Sequence, residues 1–297
     1  MLPFFDAGLH VGSAMLLLYA LLATTSLSIK VAARGAAPGM LSHQVNAWWR
    51  IFPVVSLALL TYPLGLLALA ALVCVLAAAE LASHYQAPRH RFRLGAALLL
   101  AGTVAASWQL PTIAPWLAAG VVALQALHYW RRADSRALVW LLMLATAGAM
   151  LVLAAFPTLP FGARTNLAWL FYLFILTALN DIAQFVSGKL FGRHKIAPAI
   201  SPNKTWQGLA GGIVVVQAVS LALGTYLSLA APATLMLYAL LLSLAGFLGD
   251  LTFSAAKRRL GIKDFSSLIP GHGGILDRVD SLVFTAPLLY CLLRSVD

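Results

Sequence analysis

The sequence predicts an all-α polytopic membrane protein of about ten transmembrane helices. Three observations point there. Of the 297 residues, 61% are hydrophobic and only 10% are charged, against about 25% charged in a soluble domain. Apolar runs long enough to span a bilayer recur along the chain, broken by Arg/Lys clusters or Pro/Gly turns. Lys and Arg fall almost wholly in alternate connections, as they do in the inner loops of membrane proteins. This composition excludes a soluble globular domain, a disordered tail and a coiled coil. Cys74 and Cys291 lie inside apolar runs and form neither a disulfide framework nor a zinc site. The net charge of +11 suits anionic head groups or nucleotides. No nucleic acid is expected as a partner, because no soluble domain exists to hold a duplex.

The first span reads as residues 9–29. Asp6 precedes it, Lys30 and Arg34 follow it, and that order is the reverse of a signal peptide, so the span is expected to be retained. The second and third, 51–63 and 64–83, form one run broken only at Tyr62-Pro63-Leu64-Gly65, which reads as a tight turn. Trp48-Trp49 beside Arg50 reads as an interfacial anchor, and Glu80 as the partner of a loop cation. Spans at 94–110, 114–130, 137–156 and 167–187 follow, with basic loops around Arg89–Arg93 and Arg131–Arg136. The last three are 208–229, 234–253 and 280–295. With residue 1 outside and ten alternating spans, 18 of the 20 Lys and Arg lie inside, and only Arg164 and Arg294 lie outside. Both termini are therefore expected outside. Residues 1–165 read as N-terminal transmembrane helices and 166–297 as a catalytic region of the same continuous membrane domain.

The polar residues concentrate after Asn180. Three segments stand out: Asn180-Asp181-Ile182-Ala183-Gln184, the stretch from Gly188 to Gly208, and the stretch from Gly249 to Ser281. They hold five of the nine acids, Asp181, Asp250, Asp264, Asp277 and Asp280. An acid within a span costs several kcal/mol, on the order of 3, unless it pairs, binds a cation or lines a wet cavity. Asp181 and Asp250 end their helices at the face where Asp277 and Asp280 open the last one. Gathered carboxylates suit hard divalent cations; the plainer alternative is that Asp277 caps the last helix and Asp280 pairs with Arg278 or Lys257. Pro270-Gly271-His272-Gly273-Gly274 precedes a helix N-terminus, so backbone N–H groups there are placed to meet a phosphate. Lys204, Lys257 and Lys263 bring cations to the same face. Phosphates, metal and cations together suggest phosphoryl or nucleotidyl transfer.

The stretch from Ser254 to Asp280 (SAAKRRLGIKDFSSLIPGHGGILDRVD) resembles the signature of the phosphatidate cytidylyltransferases, or CDP-diglyceride synthetases. Ser201-Pro202-Asn203-Lys204-Thr205-Trp206-Gln207-Gly208, Gly249-Asp250 and Gly188-Lys189-Leu190-Phe191-Gly192 resemble further motifs of that family. The likeness is strong from about residue 166 onward, and the Asn-Asp-Ile-Ala-Gln segment is similar to a paralogous branch. The resemblance implies transfer of CMP from CTP to phosphatidic acid, giving CDP-diacylglycerol and pyrophosphate for phospholipid biosynthesis. It implies Mg2+, with K+ at the same centre, a homodimer, and a multi-pass protein of the inner membrane with its active site on the cytoplasmic face. By position, Asp250 and Asp277 resemble the metal-bridging carboxylates. Lys204, His272 and Arg278 resemble phosphate contacts, with Asp181 and Asp280 nearby. Ser201, Lys257, Lys263, Asp264, Gly273 and Gly274 complete the expected substrate-binding set. The sequence departs from the family pattern at Ile182, Phe185 and Phe253, where hydroxyl-bearing or acidic residues are frequent. A related enzyme for another lipid phosphate and, in a different class, a lipid or anion transporter are the alternatives. Inverted repeats would favour the transporter, and none is visible.

Overall fold

The computed structural model describes residues 5–32, 40–85, 88–109, 135–268 and 273–295. Nine α-helices are present among them: α1 (Phe5–Ala32), α2 (Met40–Leu60), α3 (Leu64–His84), α4 (Arg89–Gln109), α5 (Ser135–Ala155), α6 (Ala163–Phe191), α7 (Trp206–Tyr226), α8 (Pro232–Arg259) and α9 (Leu276–Arg294). Six of these segments are long and apolar enough to cross a membrane: those in α1, α3, α5, α6, α7 and α8. The protein is thus an all-α polytopic membrane protein. The expected count of ten is not reached among the described residues, and the span expected at 114–130 lies outside them. Helices α2, α4 and α9 coincide with expected spans but are not among the six.

Boundaries differ from the expectation where polar residues continue a helix. The second apolar run extends back to Met40, with Pro53 accommodated inside α2. The turn between α2 and α3 falls at Thr61–Pro63, as the Pro-Leu-Gly signal predicts. Trp49 donates from Nε1 to Ser26 Oγ at 2.8 Å and so ties α2 to α1.

Between α6 and α7 the sequence suggests one long polar loop. Instead α6 continues through Gly188-Lys189-Leu190-Phe191, and the rest forms an antiparallel hairpin of β1 (Lys195–Ala197) and β2 (Ser201–Thr205). Pro198 begins the turn, where its fixed φ is favourable. Gln207 closes the base: its Oε1 accepts from the amides of Arg193 and His194 at 3.0 and 3.1 Å. Its amide group also lies 2.9 Å from His194 Nδ1. His194 is exposed but held by this contact.

The core lies where α3, α5, α6, α8 and α9 meet, with Leu66, Leu81, Val139, Leu142, Leu170, Tyr172, Val283 and Tyr290 fully buried. Polar groups inside a lipid-embedded bundle need partners within it. Tyr172 Oη lies 2.6 Å from Ser220 Oγ, which also contacts the Leu235 carbonyl at 2.9 Å, and Thr177 meets Thr285 at 2.9 Å. Small residues let the helices approach closely around these bonds. Gly208 of α7 packs so near α6 that an added Cβ would stand 2.8 Å from the Gln184 carbonyl. Gly249 of α8 meets α9 in the same way, at the carbonyl of Asp280. These crossings fix α7 against α6 and α8 against α9, and Gly246 of α8 faces both Asn180 of α6 and Ser281 of α9, so the ends of these helices form one junction.

Candidate active site

At that junction four aspartates meet two lysines. On α8, Asp250, Ser254 and Lys257 are four and three residues apart and share one helix face. Ser254 Oγ donates to Asp250 Oδ1 at 3.2 Å. Lys204, at the end of β2, reaches Asp250 Oδ2 at 2.5 Å and donates to Gln184 Oε1 of α6 at 3.2 Å. Lys257 contacts Asp277 Oδ1 at 2.6 Å, with side chains only 11% and 4% exposed. Asp181 Oδ1 lies 3.1 Å from Ser281 Oγ, a hydroxyl whose single proton is shared with the Gly246 carbonyl at 3.2 Å. Asp280 Oδ1 accepts from the Ser281 amide at 2.8 Å. The carboxylates of Asp181, Asp250 and Asp280 are close enough to repel one another.

Burial alone disfavours the charge on Lys204, but the carboxylates of Asp250 and Asp181 outweigh it and hold the ammonium above the ordinary lysine value. Lys204 is therefore a fixed cation at neutral pH and not a base.

A cleft of about 130 Å3 opens beside this group, lined by Asp181, Gln184, Phe185, Ser201, Asn203, Lys204, Thr205, Gly208, Leu209 and Asp250. That is smaller than the roughly 300–1,000 Å3 of pockets that engulf whole small molecules, and its scale suits a phosphate group. Thr205 shapes one wall by capping α7, its Oγ1 accepting from the Gly208 amide at 3.1 Å. Phe185 and Ile182, two of the departures from the family pattern, are each 39% exposed on α6. The third, Phe253, is fully buried and packs edge-on against Phe265 at 6.2 Å.

The glycine-rich segment differs from its expectation. Gly273 has φ +77°, a left-handed conformation that favours glycine. The Gly274 amide donates to Asp277 Oδ2 at 2.9 Å, and the Phe265 amide donates to the same oxygen at 3.0 Å. The amides of Ile275 and Leu276 donate to the Glu80 carboxylate at 2.7 and 3.1 Å. So the amides of Gly274, Ile275 and Leu276 hold two carboxylates of the protein itself, and the amides of Gly271 and His272 lie outside the described residues. Asp277 sits in the first turn of α9 and accepts from amides before the helix rather than capping it, and it is Asp277 rather than Asp280 that pairs with Lys257.

Of the expected site residues, Asp181, Ser201, Lys204 and Asp250 line the cleft, and Lys257, Asp277 and Asp280 adjoin it. Arg278 is exposed but lies close enough to stabilise the Asp181 charge. Lys263 and Asp264 are exposed on the turn after α8 and make no ion pair with the four aspartates among the described residues. His272 lies outside the described residues. Sequence reasoning missed Gln184, Ser254, Ser281 and Glu80 as members of the site. Glu80 carried a signal, an acid inside an apolar helix, but was expected to meet a loop cation; its partners are two amides and the Ser266 hydroxyl at 2.6 Å.

The acidic side chains supply oxygen donors, the ligand type of a hard divalent cation. Four carboxylates face two lysines, so negative charge is in excess, and all the acidic donors are oxygens. Asp277 Oδ1, which accepts from Lys257, keeps a lone pair for a further ligand. Among the described residues no three acid, His or Cys side chains form a closed cluster; the acids are spread over three helices, each with its own donor.

Comparison with known proteins finds relatives that match about half of the chain. An uncharacterized protein of Escherichia coli K12, YnbB, is 43% identical over 159 residues, 52% of this chain and 47% of that protein. A phosphatidate cytidylyltransferase of Staphylococcus saprophyticus is 41% identical over 132 residues, 44% of this chain and 51% of that enzyme. One of Staphylococcus aureus is 44% identical over 129 residues, 43% of this chain and 50% of that enzyme. The matched part thus spans about half the length of each relative. Residues 42–296 match the cytidylyltransferase family, and with so much of the chain inside that match, the protein belongs to it.

Proposed function

We propose that the protein transfers CMP from CTP to phosphatidic acid, giving CDP-diacylglycerol and pyrophosphate. The observation that carries this reading is the half-buried Lys204–Asp250 pair in a phosphate-sized cleft, within the region that matches the family. A phosphatidate oxygen attacks the α-phosphorus of CTP, the bond to the β-phosphate oxygen breaks, and pyrophosphate leaves. The nucleophile is already an anion near neutral pH, so no strong general base is needed. The obstacle is repulsion between two polyanions, which fixed cations relieve. Lys204 is such a cation, and its contacts with Gln184 and Asp250 aim its ammonium into the cleft. Lys257 supplies a second cation two turns along the same face of α8, and Arg278 lies near Asp181. Asp250 and Asp277 would hold Mg2+, which when bound supplies further neutralisation of phosphate charge.

The reading puts the site at the cytoplasmic face of an inner membrane, where soluble CTP meets a lipid phosphate whose acyl chains stay in the bilayer. The 18-to-2 distribution of Lys and Arg supports that orientation. Exposed Ile182 and Phe185 beside the cleft favour one variant, the same chemistry on another lipid phosphate. The test is an assay of the purified protein with CTP, Mg2+ and a panel of lipid phosphates. Phosphatidate should yield CDP-diacylglycerol and one pyrophosphate per turnover. Turnover of an isoprenoid phosphate with none of phosphatidate would overturn the substrate assignment.

A further inference from the structure

Glu80 lies in the last turn of α3, in the half of the chain furthest in sequence from the site, and is 6% exposed. Its Oε1 accepts from Ser266 Oγ at 2.6 Å and from the Ile275 amide at 2.7 Å, and its Oε2 accepts from the Leu276 amide at 3.1 Å. One carboxylate therefore joins both sides of the glycine-rich segment and occupies the N-terminus of α9, where backbone N–H groups favour negative charge. Four residues on, His84 Nε2 lies 2.7 Å from the Phe265 carbonyl, a second tie from α3 to the same segment. Gly274 is shaped for this contact, since a Cβ there would collide with both Glu80 oxygens. Helix α9 carries Asp277, Arg278 and Asp280 in its first turn and a half, so whatever fixes its start fixes their direction.

We propose that Glu80 is a positioning residue for the reaction: it sets the start of α9 and so aims Asp277 and its partner Lys257. The proposal rests on the reading that the α8–α9 junction is the reaction centre. It also makes α3 part of the site, although α3 donates nothing to the cleft.

The test uses the full-length protein in detergent or lipid. Glu80→Ala should lower kcat about 10- to 100-fold, the usual effect of losing a group that orients a reactive carboxylate, and should raise the Mg2+ concentration for half-activity. Glu80→Gln keeps one acceptor oxygen and should fall between Glu80→Ala and the unsubstituted protein. Hydrogen exchange at the Ile275 and Leu276 amides should speed up in Glu80→Ala, a readout independent of activity. Should Glu80→Ala not fold, Gly274→Ala displaces the carboxylate with Glu80 intact and should show the same kinetic and exchange changes. If both fold, adding Gly274→Ala to Glu80→Ala should cost little more, because the collision is gone. Unchanged exchange at these amides, or faster exchange with kcat and the Mg2+ requirement unaltered, would overturn the proposal. An unsubstituted protein inactive on CTP with every lipid phosphate would instead overturn the reaction assignment, and exchange alone would then decide whether Glu80 holds α9.

Discussion

Lys257 Nζ lies 2.6 Å from Asp277 Oδ1, so one ion pair fastens the last turns of α8 to the first turn of α9. Both side chains are nearly buried. Removing one partner of a buried pair leaves an uncompensated charge and costs about 3–5 kcal/mol. Lys257→Met should therefore destabilise the protein by that order in thermal or chemical unfolding. Lys257→Met combined with Asp277→Asn should recover part of the loss. An unchanged unfolding transition for Lys257→Met would contradict the burial and pairing described.

The Lys204–Asp250 pair gives a pH prediction. Because Lys204 is held above the ordinary lysine value of about 10.4, its contribution to stability is complete below that value. It is lost only as pH rises through the higher folded value. Acylation of Lys204, followed against pH by mass spectrometry, should titrate above an ordinary lysine. In Asp250→Asn the leading raising influence is gone, and the titration should move down. Titration of Lys204 near neutrality in the unsubstituted protein would contradict a fixed cation. Lys204→Met should reduce turnover by about 10²–10³-fold, as loss of one charge-stabilising group does.

Gly249→Ala tests the α8–α9 crossing. The added Cβ would stand 2.5 Å from the Asp280 carbonyl oxygen, so the helices must part. Overpacking of this kind costs about 1–3 kcal/mol, and turnover should fall with stability. Gly12→Ala on α1 meets nothing within 4 Å and should leave turnover unchanged. Equal effects of the two substitutions would show that the crossing does not position the site.

The convergence of Asp181, Lys204, Asp250, Asp277 and Asp280 was legible in the sequence for a physical reason. Acids and lysines at the ends of apolar helices, sorted to one face by the charge bias, have few places to go but the same membrane boundary. The pairing within the cluster was not legible. Whether Lys257 meets Asp277 or Asp280 depends on the rotation of α9, which the Gly249 crossing sets. Glu80 was read as an acid but not as a cap, because its partners are backbone amides almost 200 residues away, and amides carry no residue-type signature. The hairpin at 195–205 was hidden for a related reason: its Gly, Pro, Lys and Asn residues read as loop, and a Gln207 side chain closes it.

The charge bias also makes a topological prediction. Reporters active only in the periplasm or only in the cytoplasm, each fused separately after residue 297, should place the C-terminus outside. Cytoplasmic reporter activity there would contradict an even span count with both ends outside.

The most direct test of the proposed reaction follows the phosphorus atoms of CTP. With folded protein, Mg2+ and phosphatidate, label at the α-phosphate should enter the lipid and label at the γ-phosphate should leave in pyrophosphate. Label from the γ position in the lipid would mean a kinase, and no lipid label from either position would contradict CMP transfer to phosphatidate.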